Sequence, residues 1–212
     1  GVLLIQIPTV NPGYFIEPER TREAIDADGW LHTGDVARID EEGFVSIVGR
    51  KKEIIINSAG KNMSPIAIEQ AIRGSDPLLA FCVCFGDGRP YNVALLVLDP
   101  VAARSFALAE GLEPDLTLAE LARHPRVLEH LQTLVDEGNA RLSRVEQIKR
   151  WAVIPEEWQP GGEELTLTNK LRRAKVDARY AERVEALYAA PRERPAVVAV
   201  AVEAEGTHRV AH

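Results

Sequence analysis

Val127, Leu128, Leu131, Leu134, Val135 and Leu142 fall on one stripe of 3.6-residue period within 125–143, between runs that have the length and content of strands. Those runs are 79–86 and 91–98, separated by the turn residues Gly86-Asp87-Gly88, and 148–154. A chain that alternates short strands with an amphipathic helix, and shows no internal repeat, belongs to the α+β or mixed α/β class. Further strands are predicted at 1–7 and 53–57, and a hairpin from Val36–Ile39 and Phe44–Val48 around the acidic turn Asp40-Glu41-Glu42-Gly43. Helices are predicted at about 19–26, 101–110, 117–122 and 169–189. Another runs from Ser64-Pro65, an N-cap followed by proline at the first helical position, to about Arg73, with Ile68, Ala71 and Ile72 on one face. The stretch from Pro8 to Pro18 reads as turns. After Pro191 the chain is Ala/Val-rich and then polar, equally compatible with a packed strand and with a disordered end.

A formal net charge of −7 over 212 residues argues against nucleic acid as a partner, though not against a nucleotide in a local basic pocket. Cys82 and Cys84 are the two cysteines; in a strand they share one face, and their spacing offers no metal-ligand set. Buried, reduced thiols and a cytoplasmic setting are the expectation. No apolar run approaches the ~20 residues of a membrane-spanning helix, and no signal peptide is visible. Gly1 leads directly into Val2-Leu3-Leu4-Ile5, so the chain is expected to be part of something longer.

Three stretches carry residues suited to chemistry. In Gly29-Trp30-Leu31-His32-Thr33-Gly34-Asp35, the aspartate at a strand start could accept hydrogen bonds from vicinal hydroxyls, as acidic residues do when they hold a ribose. A turn aspartate capping its own backbone fits the same spacing. In Val48-Gly49-Arg50-Lys51-Lys52-Glu53, running on to Ser58-Ala59-Gly60-Lys61-Asn62, the Arg50 fork suits phosphate or ribose oxygens, and Gly60 allows close backbone approach. A solvated strand end fits equally well. In Glu163-Glu164-Leu165-Thr166-Leu167-Thr168-Asn169-Lys170-Leu171-Arg172-Arg173, a lysine near a helix start could meet a developing phosphoryl charge, and a plain surface lysine is the alternative.

Order and spacing together are more specific than any one stretch. Thr-Gly-Asp, then Gly-Arg-Lys-Lys, Gly-Lys-Asn and Ser-Pro, then a late Leu-Thr-x-Thr-x-Lys-x-x-Arg, resembles the adenylate-forming acyl-CoA synthetase superfamily. The resemblance runs from residue 1 to about Tyr188. It implies a two-step reaction in which a fatty acid and ATP give acyl-AMP and pyrophosphate, and CoA then takes the acyl group as a thioester. By position it assigns Asp35 to the ribose, Arg50 to ribose and phosphate, Lys52 to a hinge, and Gly60 with its neighbour Lys61 to the pantetheine path. Lys170 is assigned to catalysis of the first half-reaction. The Asn169-Lys170 pair, in place of the Gly-Lys of short-chain relatives, and the helical insert at about 101–143 resemble the long-chain subtype. Gly49 departs from the pattern, standing where many relatives have aspartate.

The resemblance divides the chain into 1–48, the end of the large adenylation domain; 49–190, a mobile lid; and a tail at 191–212. The Ser/Thr/Gly-rich phosphate loop and the aromatic-Gly-x-Thr-Glu segment of the family are not in the sequence, so the missing N-terminal domain is the implied partner. ATP, CoA and fatty acid are the implied substrates, with Mg2+ accompanying ATP and not held by this stretch. Peripheral contact with the inner face of a membrane is left open. Two other readings compete: a fatty acyl-AMP ligase that delivers to a carrier protein, and a non-catalytic interaction module.

Overall fold

The computed structural model describes residues 1–6 and 13–189, so residue 7 of the first expected strand, part of the turn-rich stretch and the tail lie outside the described residues. The chain begins with β1 (Val2–Ile5), α1 (Pro18–Ala24), β2 (Leu31–Ile39) and β3 (Val45–Arg50). These strands form an antiparallel sheet in the order β1-β2-β3. The β2–β3 turn is made by Asp40, whose carboxylate accepts from the N–H groups of Glu42 and Phe44 at 3.1 and 2.8 Å, and by Gly43 at φ +88°. Strand β2 is longer than the hairpin predicted at 36–39. Asp35 therefore sits inside a strand rather than at its start, opposite Arg50 in the register.

After β3 the backbone winds into a 3-10 turn at Lys51–Glu53. Short β4 (Ile55–Ile56) pairs with β5 (Asn62–Met63), followed by α2 (Pro65–Arg73). The strand predicted at 53–57 is thus cut to two residues. Its end is set by Asn57, whose side-chain oxygen accepts from the N–H groups of Ala59 and Lys61 and turns the chain. The predicted cap of α2 is present: Ser64 Oγ accepts from Ala67 N at 3.3 Å, and Ile68 and Ile72 are buried.

The centre of the fold is a second three-stranded sheet of β6 (Leu79–Phe85), β7 (Asn92–Leu98) and β8 (Ile148–Ile154). Strands β6 and β7 are antiparallel and β7 and β8 parallel. A parallel pair needs a crossover, and here it consists of α3 (Pro100–Ala109), α4 (Leu118–Leu121) and α5 (Pro125–Ala140). Side-chain alternation divides the apolar residues between two faces. Cys82, Cys84, Ala94, Leu96 and Trp151 pack with α2 and the crossover helices. Val83, Leu95, Val97 and Ala152 pack with Trp158, Leu165 and two last helices, α6 (Arg173–Arg179) and α7 (Ala181–Ala189). The cysteines share a face as predicted; burial pushes both thiols up from their ordinary value. The single helix predicted at 169–189 is instead these two, separated at Tyr180, and the segment ahead of Arg173 is a hairpin.

Helices α2 and α5 cross where Gly138 gives up a side chain. A Cβ there would lie 2.7 Å from both Ala71 O and Ile72 Cα, which are backbone atoms with no rotamer to move. Gly138→Ala gains about 1 kcal/mol in helix propensity. Overpacking against backbone costs about 1–3 kcal/mol, so the net expectation is a loss. A lower urea midpoint at unchanged slope is the expected reading; an equal or higher midpoint would show that the helices separate freely.

Candidate functional site

Lys170 is presented on a hairpin built to hold it. An isolated bridge pairs Leu165 with Leu171, Thr166 N donates to Lys170 O at 2.9 Å, and Asn169 N donates to Thr166 O at 3.0 Å. The Thr166 hydroxyl oxygen accepts from Lys170 N at 3.0 Å. Closing so tight a turn requires one left-handed residue, and Asn169 supplies it at φ +61°. Asparagine tolerates that region better than other non-glycine residues, so Asn169 closes the turn without a glycine. The Lys170 side chain is exposed and its amine has no partner among the described residues.

The hairpin is anchored at both ends. At its start Glu164 is buried, accepts from Arg172 N through its carbonyl at 2.7 Å and pairs with Arg179 through its carboxylate. At its finish Arg173 makes a two-pronged bond to Glu69 of α2, Nη2 to Oε1 at 2.8 Å and to Oε2 at 3.0 Å. Glu69 also accepts from Cys84 N at 2.8 Å. Burial pushes the Glu69 carboxyl up, against the opposing pull of Arg173 and the Cys84 amide. Lys170, Glu53, Glu69 and Arg173 share the lining of a cleft of about 330 Å³. The sequence reading named Arg173 only as a cation after Lys170 and passed over Glu69 and Glu53. The signal for Glu69 was an acid on the inward side of α2, next to buried Ile68.

A second group lies on the first sheet. Asp35 and Arg50 face each other across β2 and β3, with Arg50 Nε 3.3 Å from Asp35 Oδ1. Asp35 is mostly covered while Arg50 is open to solvent, so the pair presents a carboxylate and a planar cation side by side. Gly49, on the rung before, is buried against the cap of α2: a Cβ would lie 3.1 Å from Ser64 Oγ, and Ser64 donates to Val48 O. A side chain at Gly49 would therefore require Ser64 to give way by a few tenths of an ångström.

Gly60 and Lys61 belong to the Asn57 turn, with Gly60 at φ +75° and open space where a Cβ would be. Lys51 and Lys52 lie between the two well-tied segments, and neither side chain has a partner among the described residues. Sequence-predicted Asp35 and Arg50 are therefore brought together, Gly60 and Lys61 share a turn, and Lys170 stands apart from both on its own hairpin. Among the described residues no three His, Cys, Asp or Glu side chains gather as a metal site. No described helix is long and apolar enough to cross a membrane.

The chain belongs to the AMP-binding enzyme C-terminal domains, whose family model matches residues 52–192. It is 51% identical over 189 residues to a Mycobacterium tuberculosis protein named as a fatty-acid–CoA ligase, fadD11, covering 89% of this chain and 33% of that one. It is 34% identical to the long-chain-fatty-acid–CoA ligase FadD15 of the same organism, covering 89% of this chain and 31% of that one. The chain thus spans about a third of the length of these curated relatives. A solved structure of similar fold is the A domain of carboxylic acid reductase from Segniliparus rugosus in complex with AMP and a co-purified carboxylic acid. Its TM-score is 0.68 at 30% identity, over 89% of this chain and 28% of that chain.

Proposed function

We propose that the chain is the C-terminal third of a long-chain fatty acid–CoA ligase, with residues 1–48 closing the adenylation domain, 49–190 forming its mobile lid, and 191–212 a tail. The observation that carries this reading is Lys170, a cation with no partner among the described residues, held out on a doubly anchored hairpin. In the first half-reaction a fatty acid carboxylate oxygen bonds to the α-phosphorus of ATP, and the bond to pyrophosphate breaks. Charge accumulates on the phosphoryl and bridging oxygens, and a preorganised ammonium stabilises it there. In the second, the CoA thiol attacks the acyl carbon and AMP leaves.

Asp35 would accept from the ribose hydroxyls, with Arg50 beside it for ribose and phosphate oxygens. Gly60 and Lys61 would lie along the pantetheine path. Mg2+ would arrive with ATP and neutralise its phosphate charge, and no residue of this chain is assigned to it. The hinge would be Lys52, between the Asp35–Arg50 rung and the segment that begins at Glu53. A covering adenylation domain is supported by the first sheet, on which Ile39, Val45 and Ile47 are exposed, as is Phe44 in the turn beside them. A cytoplasmic setting belongs to the same reading, supported by two buried free thiols.

The test compares the 212-residue chain with the full-length protein, each given fatty acid, ATP and CoA. Acyl-CoA from the full-length protein and none from the isolated chain is the expected outcome. Turnover by the isolated chain would refute the division of labour. Turnover only with a phosphopantetheinylated carrier protein would replace CoA as the acceptor.

A further inference from the structure

We infer that Arg173 is a positioning residue for Lys170, because one guanidinium ties the lysine's hairpin both to the body of the lid and to the first residue beyond the hinge. The inference rests on the proposed role of Lys170 and adds a residue to it. Arg173 stands three positions after Lys170, where the hairpin becomes α6. Its Nη2 grips both oxygens of Glu69 on α2, and its Nη1 donates to Cys84 O of β6 at 3.4 Å. Its Nε is buried and has no hydrogen-bond acceptor among the described residues; Glu53 Oε2 lies 3.7 Å away as an ionic neighbour.

Glu53 is the residue after Lys52, and it closes the 3-10 turn. The turn is therefore fixed on one side by Arg50, paired to Asp35, and on the other by Glu53, held beside Arg173. Only Lys51 and Lys52 lie between these two fixed points. Rotation confined to that pair turns the lid and the Lys170 hairpin as one piece. Without the Arg173 tie, the hairpin could shift relative to the pivot, and a displacement of about 1 Å at a reacting group costs on the order of 10²-fold in rate.

A residue that acts through Lys170 has no effect once Lys170 is gone, whereas a merely structural residue has the same effect either way. The experiment is a double-mutant cycle on the full-length enzyme, reading acyl-adenylate formation, and separately thioester formation from supplied acyl-adenylate and CoA. Arg173→Gln is expected to lower adenylation about 10- to 100-fold in the wild-type background. In the Lys170→Ala background it is expected to change adenylation by less than about twofold, and transfer by less than about threefold in either. Glu53→Gln, a milder change at a partly exposed side chain, is expected to show the same non-additivity with a loss of about 3- to 10-fold, and carries the test if Arg173→Gln does not fold. Equal losses in both backgrounds, or no loss from either substitution, would overturn the inference while leaving Lys170 in place. Undiminished adenylation by Lys170→Ala itself would overturn the functional reading and this inference with it.

Discussion

Replacing Lys170 by alanine in the full-length enzyme is expected to slow acyl-adenylate formation by about 10²–10³-fold, equivalent to ~3–4 kcal/mol of lost transition-state stabilisation. Thioester formation from supplied acyl-adenylate and CoA is expected to continue near its normal rate, because the α-phosphate bond has by then already formed. The structure makes this a clean substitution. The amine has no partner to strand among the described residues and its side chain is exposed, while the hairpin is held by Thr166, Asn169, Glu164 and Arg173 without its help. Stability is therefore expected to stay within about 0.5 kcal/mol of the parent, as for surface positions elsewhere. Pyrophosphate release under single-turnover conditions reads the first half-reaction directly. If both half-reactions ran at the parent rate, the hairpin would be a structural feature and the assignment of Lys170 would be withdrawn.

Trp151→Ala is expected to cost about 3–5 kcal/mol of folding stability, the range for deleting a buried tryptophan. Trp151 is 1% exposed on β8, where it packs into the cluster shared with α2 and the crossover helices. Its indole Nε1 donates to Gln132 Oε1 of α5 at 3.2 Å, so the substitution also leaves an amide oxygen to find water. In a chain of this size the loss corresponds to a fall in Tm of roughly 6–20 °C. Thermal unfolding of the 212-residue chain measures it. A fall of under about 2 °C would mean that the surrounding helices collapse into the vacated space, since the size of the loss depends on that relaxation.

The crossover helix at 125–140 and the three strands of the central sheet were legible because each has a one-dimensional signature. A 3.6-residue stripe and short apolar runs arise from local backbone geometry, and Ser64-Pro65 marks a helix start through two adjacent residues. The candidate residues were legible for a different reason: their order along the chain matches a family pattern, although each alone reads as a surface charge or a turn. That Cys82 and Cys84 share a face also followed from alternation alone.

Partners distant in sequence were not legible. The 53–57 run has the content of a strand, yet Asn57 folds its side chain onto Ala59 and Lys61 and ends the pairing after Ile56. The 169–189 run has the composition of one helix, but left-handed Asn169 and the Leu165–Leu171 bridge hold its first residues in a hairpin, and Tyr180 divides the rest. Periodicity along the chain determined which residues must be buried, and the order of the motifs singled out the candidate charges. Only the tertiary structure decided that Asp35 faces Arg50, and that Arg173 reaches across 104 positions to Glu69. A hydrogen bond or ion pair depends on atoms approaching within about 3 Å, and sequence spacing fixes such distances only within a single turn or element.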